Sequence, residues 1–351
     1  AALSEDFYLV AWSDRPLVPG WPQVNPPNAL GIYLLDAFGN LELIHRDPEI
    51  SSMNPVPVRP RRQPAELASS VRWDGDQEGR VVVLNVEDGL EGVAPGSVKR
   101  LRIVGVPAKT HPTMNFPSLG ITHDDPGKFV LGTVPVDADG SAYFRVPSGV
   151  PFFVQALDAE GMALQTMRSV TYVQPGETRA CTGCHQGRNA SPRSGQPLAT
   201  RREPSRITPG PEGSWPLDFR VLAGPVIARR CEGCHRPGAA GSGAATDGAA
   251  TDLTPEKAYE TLVSFGGGSQ RAQVLASYRL GRSTSGLSMA RGSPILDLLR
   301  RGHHDVRLEA AELERLVTWM DMYSQRLGSF SPEQEAELRD LRGRVAALLE
   351  P

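Results

Sequence analysis

Alternation of apolar and polar positions dominates the first half of the chain. Phe7–Trp12, Gly31–Asp36 and Leu41–His45 are short β-rich runs, with Phe38-Gly39-Asn40 as the turn between the last two. They predict one antiparallel meander over residues 1–64, closed by the proline-rich spacer Pro55 to Pro64. Three strands bury little apolar surface, so this piece reads as the end of a larger array such as a β-propeller. Over 65–190 the same alternation predicts strands at Arg80–Asn85, Val98–Val104, Phe129–Val134, Ala142–Val146 and Phe152–Leu157. Asp139-Gly140 is expected to join the third and fourth of these as a tight hairpin. Many short strands with regular turns predict a sandwich-like middle domain.

The period then changes. Residues 191–214 combine prolines with Arg193, Arg201, Arg202 and Arg206, a linker composition whose arginines suit carboxylate partners. From Trp215 to about 330 the pattern is helical. Gly224-Pro225 opens a helix, Thr254-Pro255 opens another, and Leu313, Leu316, Val317 and Met320 form an apolar stripe beside Trp319. Residues 237–252 read as a Gly/Ala/Thr-rich insertion, and Ser331-Pro332-Glu333-Gln334 is a capping-box start for a last helix over 331–351. The expected class is therefore multidomain β + α: a propeller-end meander, a β-sandwich-like middle domain, and an α-helical cytochrome c-like domain.

Composition narrows the partners. The 351 residues are 40% hydrophobic and 22% charged with net charge −3, a soluble balance that gives no reason to expect nucleic acid or an anionic membrane surface. No run of about eighteen apolar residues predicts a membrane span. The start Ala-Ala-Leu-Ser-Glu-Asp has neither a basic nor an apolar leader segment, and the chain is expected to be the mature product of an exported protein, periplasmic or similar.

The chemistry lies in two motifs that use all four cysteines, Cys181-Thr-Gly-Cys184-His185 and Cys231-Glu-Gly-Cys234-His235. Cys-x-x-Cys-His is the spacing of covalent haem c attachment, two thiols bonding the porphyrin edge and the adjacent imidazole ligating the iron. Two covalent haems are expected, with His185 and His235 proximal. A structural zinc site or two disulfides are the rival readings, and neither explains the histidine following each second cysteine. His111 and His123, in the loop between middle-domain strands, are candidate sixth ligands of the first haem, His123 preferred because Asp124 and Asp125 would orient its ring. For the second haem the candidates are His303 and His304, with Met289 a thioether rival. If Gly302–Leu308 is extended, His304 shares a face with Val306 and Leu308, which favours His304 over His303. Asp137-x-Asp139-Gly140 lacks the closing glutamate of a calcium loop and reads as a turn.

Phe129 to Leu164, followed by Pro175-Gly176-Glu177 and the first haem motif, resembles the middle domain of the hydrazine synthase alpha subunit family. Gly302-His303-His304-Asp305-Val306 and Leu316-Val317-Thr318-Trp319 resemble its C-terminal cytochrome part. The resemblance implies a multihaem c-type protein, a propeller before the middle domain, and other subunits of a multihaem complex as partners. It also implies a tyrosine on the middle-domain iron four residues after the motif histidine, with zinc nearby; this chain has Asn189 there, a departure that argues against hydrazine synthesis. The expected function is a dihaem cytochrome carrying electrons to redox partner proteins, both irons closed by histidine. The alternative is a haem oxidoreductase acting on a small nitrogen compound at an open first iron, and whether the chain is an enzyme stays undecided at this point. A zinc-stabilised binding module survives only without haem.

Overall fold

A computed structural model describes residues 1–19, 24–60, 63–69, 71–111, 116–184, 195–239 and 251–349. Two compact units are present, residues 1–68 and 69–351. In the first, β1 (Phe7–Trp12), β2 (Gly31–Asp36) and β3 (Leu41–His45) form an antiparallel meander with β2 in the middle. Asp36 accepts from the amides of Phe38 and Asn40, which closes the β2–β3 turn where the sequence places it. Tyr33 is buried under Trp12, whose ring meets it edge-on at 5.2 Å.

The second unit is layered on one five-stranded sheet. Its order is β11 (Thr208–Pro209), β6 (Phe129–Pro135), β5 (Arg100–Gly105), β8 (Phe152–Leu157), β9 (Ala163–Thr166). Both faces are covered, and the period of two divides the residues between them. Leu101, Ile103, Phe129, Leu131 and Ala156 enter one core with Val81, Val83, Phe144 and Val146 of a second, three-stranded sheet, β10 (Thr178–Cys181), β4 (Glu78–Val83), β7 (Ala142–Pro147). This is the expected sandwich. Val104, Val130 and Phe153 point the other way into a core shared with the helices.

Asp139-Gly140 does not make a hairpin between paired strands. β6 and β7 lie in different sheets: β7 pairs with β4 and β6 with β5 and β11. Gly140 sits so close to Asn85, beside the end of β4, that a Cβ there would lie 2.2 Å from the Asn85 amide oxygen. The tight turn therefore delivers β7 to β4 instead of returning it to β6.

The helical layer contains α1 (Phe219–Leu222), α2 (Gly224–Arg230), α3 (Ala258–Ser264), α4 (Gln270–Leu280), α5 (Pro294–Arg301) and α6 (Ala310–Asp321). α6 buries Leu316, Val317 and Met320 of the stripe read from the sequence, with Trp319 beside them, while Leu313 is exposed, and it begins in a reciprocal Glu309–Glu312 capping box. α3 starts after the Thr254-Pro255 signal, because Asp252 caps Thr254 and residues 254–257 form a turn first. α7 (Pro332–Arg344) opens at Ser331, which accepts from the Gln334 amide, and packs on the β-sandwich: Leu338, Val345 and Leu348 join its core. Residues 195–214 are seated on the sandwich as well. Ala199 and Ile207 are fully buried, and Arg202 pairs with Asp137 at 2.9 Å.

A buried polar centre joins sheet to helices. Arg102 of β5 donates to Gln155 (2.9 Å), to the Gly161 carbonyl (3.1 Å) and to Thr318 of α6 (3.2 Å). Asp321, at the end of α6, accepts from the amides of Ala163 (2.7 Å) and Ala290 (3.0 Å). Burial raises the Asp321 carboxyl above the ordinary range, and the charge of Arg102 opposes that shift.

Candidate functional site

Two cysteine-bearing turns lie on different layers of the second unit. The first begins as a strand: β10 runs parallel to β4, so Cys181 is opposite Val83, and the Leu84 amide donates to the Cys181 carbonyl. The chain then folds over the 85–88 turn. The Cys184 amide donates to the Asp88 carbonyl, and Gly183 approaches Asp88 so closely that a Cβ would lie 2.7 Å from that oxygen. Both thiols pack against the sandwich core. Burial raises the Cys181 thiol and pushes Cys184 up to about 12. His185 and Asn189 lie outside the described residues. Beside this turn is a cavity of about 210 Å³ whose polar lining includes Asn85, Asp88, Asp139, Thr182 and Gln196, with no histidine among its described lining residues.

The second motif continues α2 by a helical turn. The Cys234 and His235 amides both donate to the Cys231 carbonyl, so positions i, i+3 and i+4 place both sulfurs and the imidazole on one side. Arg230, the last residue of α2, donates to Glu312 at 2.9 Å and to Glu309 at 2.8 Å, which fixes the start of the motif against the first turn of α6. The Cys231 thiol is pushed up to about 11 by burial; Cys234 is exposed.

Opposite this motif stands His303, not His304. The Nε2 atoms of His235 and His303 face each other at 3.5 Å, with rings 17° from parallel and centroids 5.8 Å apart. Two metal–imidazole bonds of about 2 Å in line span about 4 Å, so the pair is within about half an ångström of the separation that a shared metal requires. The expected preference for His304 rests on an extended Gly302–Leu308, and that premise fails. His304 and Asp305 are left-handed, with φ of 45° and 59°, and the Val306 amide closes a turn on the His303 carbonyl. A turn abolishes the alternation, so His304 meets the His303 ring edge-on at 4.6 Å instead of facing His235. Burial, with the neighbouring imidazoles, lowers the pKa of His303. A cavity of about 370 Å³ follows this loop, lined by residues 302–307 and Leu299. Met289 is packed against the helical core, and its carbonyl accepts from Gln270.

The expected partners of the first motif, His123 and His111, lie in the segment between β5 and β6. Beside the exposed His123, Asp124 receives the Tyr278 hydroxyl of α4 and Asp125 receives the Thr122 amide while lying 3.6 Å from Lys128. No hydrogen bond joins either carboxylate to the His123 ring among the described residues. His111 packs edge-on to Phe116 at 5.2 Å.

The donor sets discriminate among the sequence readings. All four cysteines are free. No group of three or more His, Cys, Asp or Glu side chains converges as a metal site among the described residues, which leaves the zinc reading without ligands there. Paired thiols one turn apart, with the motif imidazole facing a second imidazole at the second motif, would suit a covalently held haem. His235 Nδ1 is buried without a partner among the described residues.

Comparison with known proteins places these turns in a family context. The model of the hydrazine synthase alpha subunit middle domain matches residues 96–186. The hydrazine synthase subunit alpha of Kuenenia stuttgartiensis is 40% identical over 58 residues, 16% of this chain and 7% of that protein. The solved structure of Kuenenia stuttgartiensis hydrazine synthase superposes with TM-score 0.57 at 18% identity, over 92% of this chain and 54% of the solved one, a likeness of fold. The chain thus spans about half the length of that solved relative. No described helix is long and apolar enough to cross a membrane.

Proposed function

We propose, for a chain that belongs to the hydrazine synthase alpha subunit family through its middle domain, that it is a c-type haem oxidoreductase acting on a small nitrogen compound. In this reading the group held at the first motif would meet substrate and the group held at the second would relay electrons. This reading departs from the dihaem electron carrier expected from the sequence. The observation that carries it is the asymmetry between the motifs: His235 has an imidazole facing it at 3.5 Å, whereas the cavity at Cys181–Cys184 has amide, hydroxyl and carboxylate lining but no described histidine. Family kinship supports the same side of the choice.

Haem c, when bound, supplies the redox-active iron at each motif. The chain's residues hold and orient it. Cys181 with Cys184, and Cys231 with Cys234, anchor the two groups; His185 and His235 are the proximal ligands. His303 would be a second histidine holding the group at the second motif, which would suit that site to passing electrons rather than admitting substrate. Asn85, Asp88 and Gln196 offer hydrogen-bonding groups to a small polar substrate at the first, where Asn189 in place of the family's tyrosine makes hydrazine synthesis itself the less favoured reaction. The helical part is a cytochrome c-like domain, the meander the end of a propeller, and the partners are redox proteins or other subunits of a multihaem complex in the periplasm.

The test is intact mass after denaturation together with the ferric spectrum. Protein from a host competent in c-type maturation is expected to exceed the chain mass by two haems and to show mixed spin, with only the high-spin part binding nitric oxide or hydroxylamine. An unmodified mass removes haem from the reading. A wholly low-spin spectrum that ignores both ligands returns the chain to the electron-carrier class.

A further inference from the structure

A third cavity, of about 250 Å³, lies away from both cysteine motifs, between the large sheet and α4. One wall is apolar, formed by Phe153, Met167, Val170 and Val274. The rest of the lining carries two cations, Lys128 and Arg168, and two carboxylates, Asp124 and Asp125. Lys128 is almost fully buried, with its ammonium held by Gln325 and 3.6 Å from Asp125. Arg168 is exposed at the mouth, donates to Ser277 at 3.2 Å, and has no carboxylate partner among the described residues. Both cations lie over the Tyr323 ring, Lys128 at 5.8 Å and Arg168 at 5.7 Å from its centroid.

The two carboxylates nearby are engaged, Asp124 with Tyr278 and Asp125 with Thr122 and Lys128, so the open guanidinium is the group that seeks a counter-charge. The backbone that presents Tyr323 is strained: Tyr323 and Ser324 are both left-handed, with φ of 63° and 50°. Neighbours hold that conformation in place. Ser324 donates to Gln270 and its carbonyl receives Tyr259, while the Gln325 carbonyl receives Trp319. Strain that several elements sustain around one presented side chain is the pattern of a ligand-contacting residue. The volume equals about eight liquid waters at about 30 Å³ each, the size of a small organic anion.

We propose that this cavity binds a short-chain monocarboxylate, its carboxylate on Arg168 and Lys128 beside Tyr323 and its alkyl part on the Phe153–Val170 wall. A guanidinium fork matches a carboxylate bidentately, and the apolar wall offers an inorganic anion nothing. The proposal is independent of haem at either motif.

Calorimetric titration of the full chain with propionate, at fixed ionic strength with chloride as control, tests it. Saturable one-to-one binding is expected, tighter for propionate than for formate. Arg168→Ala is expected to weaken it about tenfold or more, and Arg168→Lys by less, since a charged hydrogen bond is lost in the first and only the fork in the second. Val170→Trp, at an exposed lining position, is expected to block it without unfolding the chain. Absence of saturation, equal affinity for formate or chloride, or an Arg168→Ala protein that binds as well as the wild type would each overturn the proposal.

Discussion

Asp321 is the side chain through which α6, the edge strand β9 and the 289–290 loop are tied together, so its removal should be felt by the whole helical layer. Its two oxygens accept the amides of Ala163 and Ala290, residues whose own exposure is 1% and 0%. Asp321→Ala leaves both donors buried without partners, and each such loss costs about 1–3 kcal/mol, or about 2–6 kcal/mol together. Arg102 loses the carboxylate that acts on it most strongly in the same step. Asp321→Asn keeps one acceptor and turns an N–H toward the other amide, so a smaller loss is expected. The charge adds a pH signature. Burial raises the folded-state pKa of Asp321, so its contribution is complete below the unfolded carboxylate pKa and is lost as pH rises through the folded value. The stability gap between wild type and Asp321→Asn should therefore be wider at acid pH than at neutral pH. Urea unfolding followed by circular dichroism measures the gap, and amide exchange at Ala163 and Ala290 locates it. An Asp321→Ala protein within about 0.5 kcal/mol of wild type, with both amides still protected, would refute the reasoning.

In the haem-loaded protein, His303→Ala should convert the second site to high spin in the ferric spectrum, while His304→Ala should leave it low spin; the reverse result would return the ligand to His304. Gly132→Ala should cost about 1–3 kcal/mol in thermal or urea unfolding. Its Cβ would lie 2.0 Å from the Thr208 carbonyl at a backbone φ of 147°, forcing β11 off β6. Tyr259→Phe should cost about 1 kcal/mol by the same measurement, because the Ser324 carbonyl loses its buried donor at 3.0 Å.

Much of this protein is legible from local pattern. Strands β1 to β3 and β8 coincide with the predicted runs, because alternation and a turn residue such as Asn40 act within a few positions. Ser331 starts α7, and the spacing of Cys231, Cys234 and His235 specifies one face of a helical turn, for the same reason. What the sequence by itself could not decide depends on which distant segment captures a given one. Asp139-Gly140 looks like a hairpin turn until Asn85 places β7 on β4. The 195–214 segment looks like a tether until Ile207 and Ala199 are buried on the sandwich. Arg102 and Asp321 carry no motif, since their partners are 31 to 216 positions away. The choice of His303 over His304 turns on two left-handed residues, a conformation that non-glycine side chains resist and that only the surrounding structure sustains. Residue type and local spacing determined what chemistry each segment carries; long-range packing decided which of those groups face one another, because that energy exists only once the layers are assembled.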